Sequence, residues 1–183
     1  LNNLARSFAE TVVGANNADY TPDSVLSWGV KDRLFVIGNG ADGNNRRNAV
    51  TVFKNGKVGI GTTKMDYPGW PSLNKMVLAS DDTENIDFIH SYANNNNGFI
   101  PGYGFARAAG SLAAPAMVSP NMYQGAIYST GYDGTSYVGS TAIFFTTDGT
   151  PGVNNMPGKI DFLTTPAGSG NPLIRMTIKN TGY

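Results

Sequence analysis

The chain of 183 residues contains no cysteine. That excludes disulfides, thiolate metal sites and a cysteine nucleophile. Charge is also scarce. Lys, Arg, Asp and Glu make up 14 % of the residues, against roughly 25 % in average soluble domains. Formal net charge is zero, with no basic field to hold phosphates and no polybasic or acidic run, so a nucleic-acid partner is not expected. No stretch approaches the ~20 apolar residues of a membrane span, so no membrane insertion is expected. Leu1 opens directly into Asn2-Asn3, and no signal peptide is read there. Histidine occurs once, at position 90. One His without Cys cannot build a zinc site, and without a Gly-x-Ser-x-Gly element a triad around His90 has no support. His90 reads as structural.

Glycine and asparagine are abundant instead, at 23 and 20 residues. Both tolerate positive φ and favour turns. They lie between short apolar runs, which suggests many turns rather than disorder. Aromatics, at 11 %, can supply a packed interior. A stable extracellular protein without disulfides draws rigidity from another source, and oligomerisation is one.

The pattern along the chain is that of strands. Residues 7–13 read as a strand closed by the turn Gly14-Ala15-Asn16-Asn17. Arg33 to Gly40 reads as a strand, with Leu34, Phe35, Val36 and Ile37 suggesting burial on both faces. In residues 47–63, Val50 and Val52, then Val58 and Ile60, alternate with polar or small residues around Asn55-Gly56, which predicts a hairpin with a type I′ turn. Two prolines and a glycine in Met65 to Ser72 predict a linker. Further strands are expected over 76–80, 86–92, 99–109, 123–130, 137–147, 159–165 and 173–179. Turn signals separate them, and no sustained 3.6-residue period appears. The fold class is therefore all-β. The segments expected are 1–64, a linker at 65–75, and a second domain over 76–183.

The end of the chain repeats the first half of the central hairpin. Arg175-Met176-Thr177-Ile178-Lys179-Asn180-Thr181-Gly182 again gives Arg, apolar, Thr, apolar, Lys, Asn and Gly. We expect the chain to be a segment of something longer, built from recurring units.

Other chemistry is weakly supported. Asp81, Asp82, Glu84 and Asp87 are the densest acidic set but lack a calcium-loop pattern and read as a solvated turn. Gly59 to Lys64 lacks the Gly-Lys-Ser/Thr ending of a phosphate loop. No cofactor is implied. Most carboxylates lie in turns such as Asp133-Gly134 and Asp148-Gly149, so a glycosidase pair is not apparent, and no enzymatic role is expected. The aromatic loops remain as binding candidates: Tyr92, Asn95, Asn96, Phe99 and Tyr103 around the Asn tract, and Tyr132, Asp133 and Tyr137 around an Asp-Gly turn. Exposed aromatics beside amides bind sugars by stacking and hydrogen bonding. Equally, several can be core residues under long loops.

Two groups of motifs resemble a known family. Ser7-Phe8-Ala9-Glu10, Leu34 to Gly40, Arg47 to Val52, Lys54-Asn55-Gly56 and Val58-Gly59-Ile60-Gly61-Thr62-Thr63 resemble the head repeats of trimeric surface fibres. These repeats occur in trimeric autotransporter adhesins and in phage or prophage tail fibres. Lys64-Met65 departs from the Ser-Pro pair usual at the end of that element. Phe105 to Pro115, Gly131 to Gly134, Asp148 to Gly152, Met156 to Ile160 and Arg175 to Ile178 resemble a tail-fibre shaft or head domain. In that family the domain often precedes a self-cleaving, endosialidase-type intramolecular chaperone, which these residues do not contain. The resemblance implies a homotrimeric, extracellular fibre, with a β-roll or β-prism-like segment first and an antiparallel β domain second. It further implies attachment of a phage or phage-like particle to a bacterial surface glycan or protein receptor. The alternatives are a bacterium's own surface adhesin, or a depolymerase of surface polysaccharide.

Overall fold

The computed structural model describes residues 2–66, 75–79 and 102–182. The chain divides into two units, Leu1–Phe88 and Ile89–Tyr183. Among the described residues there is no helix.

The first unit is a five-stranded sheet of β1 (Thr11–Ala15), β2 (Arg33–Asn39), β3 (Asn48–Phe53), β4 (Val58–Ile60) and β5 (Met76–Leu78), laid side by side in chain order. The outer pairs β1·β2 and β4·β5 are parallel, the inner two antiparallel. The strand at 76–78, read from sequence as the start of the second domain, is hydrogen-bonded into this first sheet.

Register decides which side chains share a face, because strand residues alternate. Val13, Ile37, Val50, Ile60 and Leu78 stand in one row, and Phe35, Val52, Val58 and Met76 in a second. Both rows point to the same side. Between them, Val12, Val36, Thr51, Gly59 and Val77 point to the other. That second face is closed by the chain itself. Asn48 Oδ1 accepts from Ala18 N at 2.7 Å, and Asn48 Nδ2 donates to Thr51 Oγ1 at 3.0 Å. A Cβ on Gly59 would meet the Thr62 carbonyl and the Met65 sulfur. Val36 and Thr51 are wholly buried. The apolar face is not closed: Val13, Ile60 and Met76 are 43 %, 40 % and 61 % exposed.

The interior of this unit is largely polar. Asn17, Asp32, Asn48 and Thr51 are buried, and the side chains of the first three serve loop backbone. Asn17 Oδ1 accepts from Leu4 N at 2.8 Å while its Nδ2 donates to Leu4 O at 2.9 Å. Asp32 accepts from the amides of Asp23 and Ser24 at 2.7 and 3.2 Å. Such bonds offset the desolvation of groups that would otherwise be buried without partners.

Four local expectations are corrected. The run Leu34–Ile37 is not buried on both faces: Val36 is buried, while Leu34, Phe35 and Ile37 are only partly buried, Phe35 and Ile37 on the uncovered side. The first strand starts at Thr11, because Glu10 Oε2 accepts from the amides of Arg6 and Ser7 at 2.7 and 3.0 Å and holds residues 7–10 in a turn. It continues through Gly14 and Ala15, which pair with Gly38 and Asn39. The hairpin turn is not type I′, since of its two residues Gly56 alone has positive φ, at 78°. Gly56 N donates to Phe53 O and Phe53 N to Lys57 O, both at 2.9 Å, the bonding of a three-residue loop with glycine in the left-handed position. In the expected strand 99–109, residues 102–108 are irregular, and nothing approaches Gly102 or Gly104 within 4 Å.

The second unit holds a short pair, β6 (Ala109–Gly110) with β7 (Pro115–Ala116), and an antiparallel meander. The meander runs β8 (Tyr123–Tyr132), β9 (Tyr137–Thr147), β10 (Gly158–Thr164) and β11 (Leu173–Ile178). These four match the strands read from the sequence. Ala142, Asp161 and Leu163 are buried on one face, where Asp161 accepts from Thr177 Oγ1 at 2.6 Å and meets Lys159 Nζ at 3.3 Å. The opposite face carries the rows Ile127, Ile143, Phe162, Met176 and Phe145, Ile160, Ile178. Phe105 stacks on Phe145 with centroids 5.8 Å apart, over the space that Gly125 leaves. Yet Ile127, Met176 and Ile178 remain 53 %, 49 % and 40 % exposed. The second sheet, like the first, has an apolar face that its own chain leaves open.

Candidate functional site

The best-formed cluster of candidate residues is the tip of the β8–β9 hairpin. Tyr132 and Tyr137 are directly paired across the strands, with ring centroids 5.3 Å apart and planes inclined by 53°. Between them the chain turns on Asp133 and Gly134. Asp133 Oδ1 accepts from Thr135 N and Ser136 N, both at 2.8 Å, and Asp133 N donates to Ser136 O at 3.0 Å. Gly134 takes the positive φ of 99° that closes the turn.

Hydrogen bonds from the amides of Ser136 and then Thr135 hold the Asp133 carboxyl below its ordinary range. A depressed folded value contributes stability that is complete above the ordinary carboxylate pKa of about 3.9 and fades as pH falls through the lowered folded value. The Ser136 and Thr135 amide resonances should therefore move together in that acid window. Asp133→Asn, which keeps an acceptor, should hold the turn but abolish the titration, whereas Asp133→Ala should loosen the turn at all pH values.

Beside this tip lies a groove of about 340 Å³, its walls formed by Tyr132, Asp133, Ser140, Thr165, Pro166 and Ser169 among others. The far wall is the 165–171 loop. Thr165 ties it to the hairpin, its N donating to Ser140 O at 2.9 Å and its Oγ1 to Gly139 O at 2.8 Å. Ser169 N donates to Pro166 O at 3.2 Å, and Asn171 N to Ser169 Oγ at 3.1 Å. The groove thus offers a half-exposed aromatic ring, hydroxyls and backbone amides, with Asp133 as its one carboxylate. That suits a neutral, hydroxyl-rich ligand.

Of the candidates read from sequence, the structure brings together Tyr132, Asp133 and Tyr137. Tyr103 lies in the irregular segment before β6, 66 % exposed, and does not line the groove. Tyr92, Asn95, Asn96 and Phe99 lie outside the described residues, as do His90 and the acidic set at 81–87. Sequence reasoning missed Ser140, Thr165 and Ser169, because strand pairing brings them to the tip from as far as 37 residues away, the separation of Ser169 from Tyr132. It also missed a cleft of about 530 Å³ in the first unit, lined by Arg6, Asp19, Tyr20, Thr21, Pro22 and Val25. There Arg6 grips Asp19 with two bonds of 2.8 and 2.9 Å. The pair is solvent-exposed and already satisfied, so it offers no free charge to a ligand. Among the described residues, no three His, Cys, Asp or Glu side chains converge as metal ligands would.

No protein-family model and no curated protein matches the sequence. Solved structures do match. One is the carboxy-terminal domain of the bacteriophage T5 L-shaped tail fibre, with a TM-score of 0.61 at 18 % identity over 79 % of this chain and 61 % of that one. Another is the same domain with its intramolecular chaperone domain, with a TM-score of 0.62 at 19 % identity over 79 % of this chain and 42 % of that one. This chain therefore spans about three-fifths and two-fifths of those two. At such identities the likeness is one of fold: the chain is built like a bacteriophage tail-fibre carboxy-terminal domain.

Proposed function

We propose that this chain is part of an extracellular, homotrimeric fibre that attaches a phage or phage-like particle to a bacterial surface. One observation carries the reading. Both sheets present rows of large apolar side chains, Val13, Ile60 and Met76 in one and Ile127, Met176 and Ile178 in the other, which the chain itself leaves 40–61 % exposed. Contiguous apolar faces of this kind are unusual on monomers and mark association surfaces. Three copies around an axis would bury them, and the first unit would then close into the roll or prism implied by its motifs. Resemblance to trimeric fibres favours three copies over two. The mass of the native particle by light scattering tests this: three chains are expected, and a stable single chain overturns it.

Within such a fibre the groove beside Tyr132 is the receptor contact, and a neutral surface glycan is its ligand. It binds without cleaving, since glycosidases generally need two carboxylates facing across the bond and this lining supplies Asp133, whose oxygen is engaged by the turn. Tyr132→Ala should weaken binding to host polysaccharide on the order of tenfold, the loss of one stacking platform. Assembly mass should not change. Unaltered affinity on a glycan array or by calorimetry removes the groove from the receptor site.

A further inference from the structure

The turn that ends β11 has the same construction as the turn that ends β3. Thr51 stands five residues before Gly56, and Thr177 five before Gly182. Gly56 N donates to Phe53 O and Gly182 N to Lys179 O, both at 2.9 Å. Both glycines have positive φ, 78° and 95°. Each threonine hydroxyl is bonded inside its own sheet, Thr51 to Asn48 Nδ2 at 3.0 Å and Thr177 to Asp161 Oδ1 at 2.6 Å. The second turn is also held in place from outside. Asn180 N donates to Asp148 Oδ2 at 3.0 Å, and its Nδ2 to Asp148 O at 2.7 Å.

At β3 this turn delivers a strand. The chain returns as β4 and pairs antiparallel along β3, Val52 with Val58, Thr51 with Gly59 and Val50 with Ile60. The glycine opposite Thr51 matters, because a Cβ there would meet the carbonyl of Thr62, where the chain folds back after β4. β11 is the terminal strand of its sheet, so among the described residues one of its edges is unpaired. Exposed edges are usually blunted by lysine, proline or an outward charge. β11 has no lysine or proline, and its Arg175 reaches inward to donate from Nε to Thr164 Oγ1 at 2.9 Å. Leu173, Ile174, Met176 and Ile178 are 40–55 % exposed.

We propose that the free edge of β11 is an acceptor for one more strand, of the alternating β-branched and glycine type of Val58-Gly59-Ile60, delivered by the same chain through the Gly182 turn. Thr177 would then face a glycine, as Thr51 faces Gly59. The surface is a main-chain docking edge, distinct from the apolar faces and from the groove beside Tyr132.

The test extends the chain after Tyr183 by the sequence of residues 58–63 and follows amide hydrogen exchange of residues 173–178. A control carries the same extension with prolines in place of its valine and isoleucine, and a second adds Gly182→Val to the active extension. Outward amides of β11 should slow on the order of tenfold or more with the active extension, and in neither control. Equal exchange in all chains overturns the proposal. So does protection that survives the prolines, which would not come from pairing, or survives Gly182→Val, which would not come through the turn. Protection already present in the unextended chain also overturns it, because another subunit would then hold the edge.

Discussion

If the native particle is the proposed trimer, Ile60→Asp is expected to reduce it to single chains, with no comparable effect from Lys31→Asp. Both sites are exposed in a single chain, Ile60 on β4 and Lys31 in a turn. Ile60 is 40 % exposed and Lys31 is exposed, and substitutions at such surface positions usually move stability by no more than about 0.5 kcal/mol. A difference between them therefore reports what covers Ile60 beyond its own chain. If the row Val13, Ile37, Val50, Ile60 and Leu78 packs against other copies, the new carboxylate sits in an apolar seam, three times over by symmetry. Burying an unpaired charge costs several kcal/mol for each ion, comparable in total with the whole stability of an ordinary domain, ~5–15 kcal/mol. Light scattering at matched concentration reads the mass directly. Ile60→Asp particles of unchanged mass and stability would show that the row faces water and that the apolar face is not the assembly surface.

That row was visible in the sequence as an alternation, but its exposure was not. Val50, Val52, Val58 and Ile60 were legible as one side of a hairpin because β-residue spacing is two and the turn residues are distinctive. The turn geometry was not legible: Asn55-Gly56 fits a two-residue type I′ loop and the three-residue loop equally well, and Lys57 O accepting from Phe53 N selects the latter. The polar interior was still less accessible. Of Asn17, Asp32 and Asn48, only Asn17 reads from sequence as part of a turn, and Asn48 opens β3. Their buried roles depend on partners 13, 9 and 30 residues away, respectively Leu4, Asp23 and Ala18, and no local pattern marks such pairings. The candidate tip divides in the same way. Tyr132, Asp133 and Tyr137 announce themselves around a short turn, whereas the opposing wall at Thr165 to Ser169 is set by the β8–β9–β10 ladder. The apolar run Leu34 to Ile37 misled for a related reason: its composition calls for two covered faces, and one of those covers is absent from the single chain.

Gly14→Ala should be among the most damaging small substitutions in the first unit, and it acts within one chain. Gly14 holds φ at 83° in the middle of a strand and pairs in parallel with Gly38. An added Cβ would fall on the carbonyl oxygen of Gly38. Gly38 is equally hemmed in, since a Cβ there would lie 2.7 Å from Ala15 O and 2.8 Å from Asn17 N. None of these obstacles is a flexible side chain that can swing away. Relief would have to part β1 from β2, and with them the bonds that tie the next loop down, Gly40 N to Ala15 O at 3.0 Å and Arg47 N to Asn16 O at 3.1 Å. Left-handed backbone alone costs an alanine about 1–2 kcal/mol, and the collision brings the total to roughly 3 kcal/mol or more, in the tail of single-substitution effects. For a unit of this size that lowers the thermal midpoint by roughly 10 °C or more. Gly43→Ala is the control, because no atom lies within 4 Å of its Cβ position and its φ is not in the left-handed region; it should leave the midpoint nearly unchanged. Midpoints must be compared at one protein concentration, since assembly makes them concentration-dependent. That same dependence separates the two substitutions. Gly14→Ala weakens the folded chain whether or not it associates, so its deficit persists on dilution below the assembly range, where Ile60→Asp and the parent chain should converge.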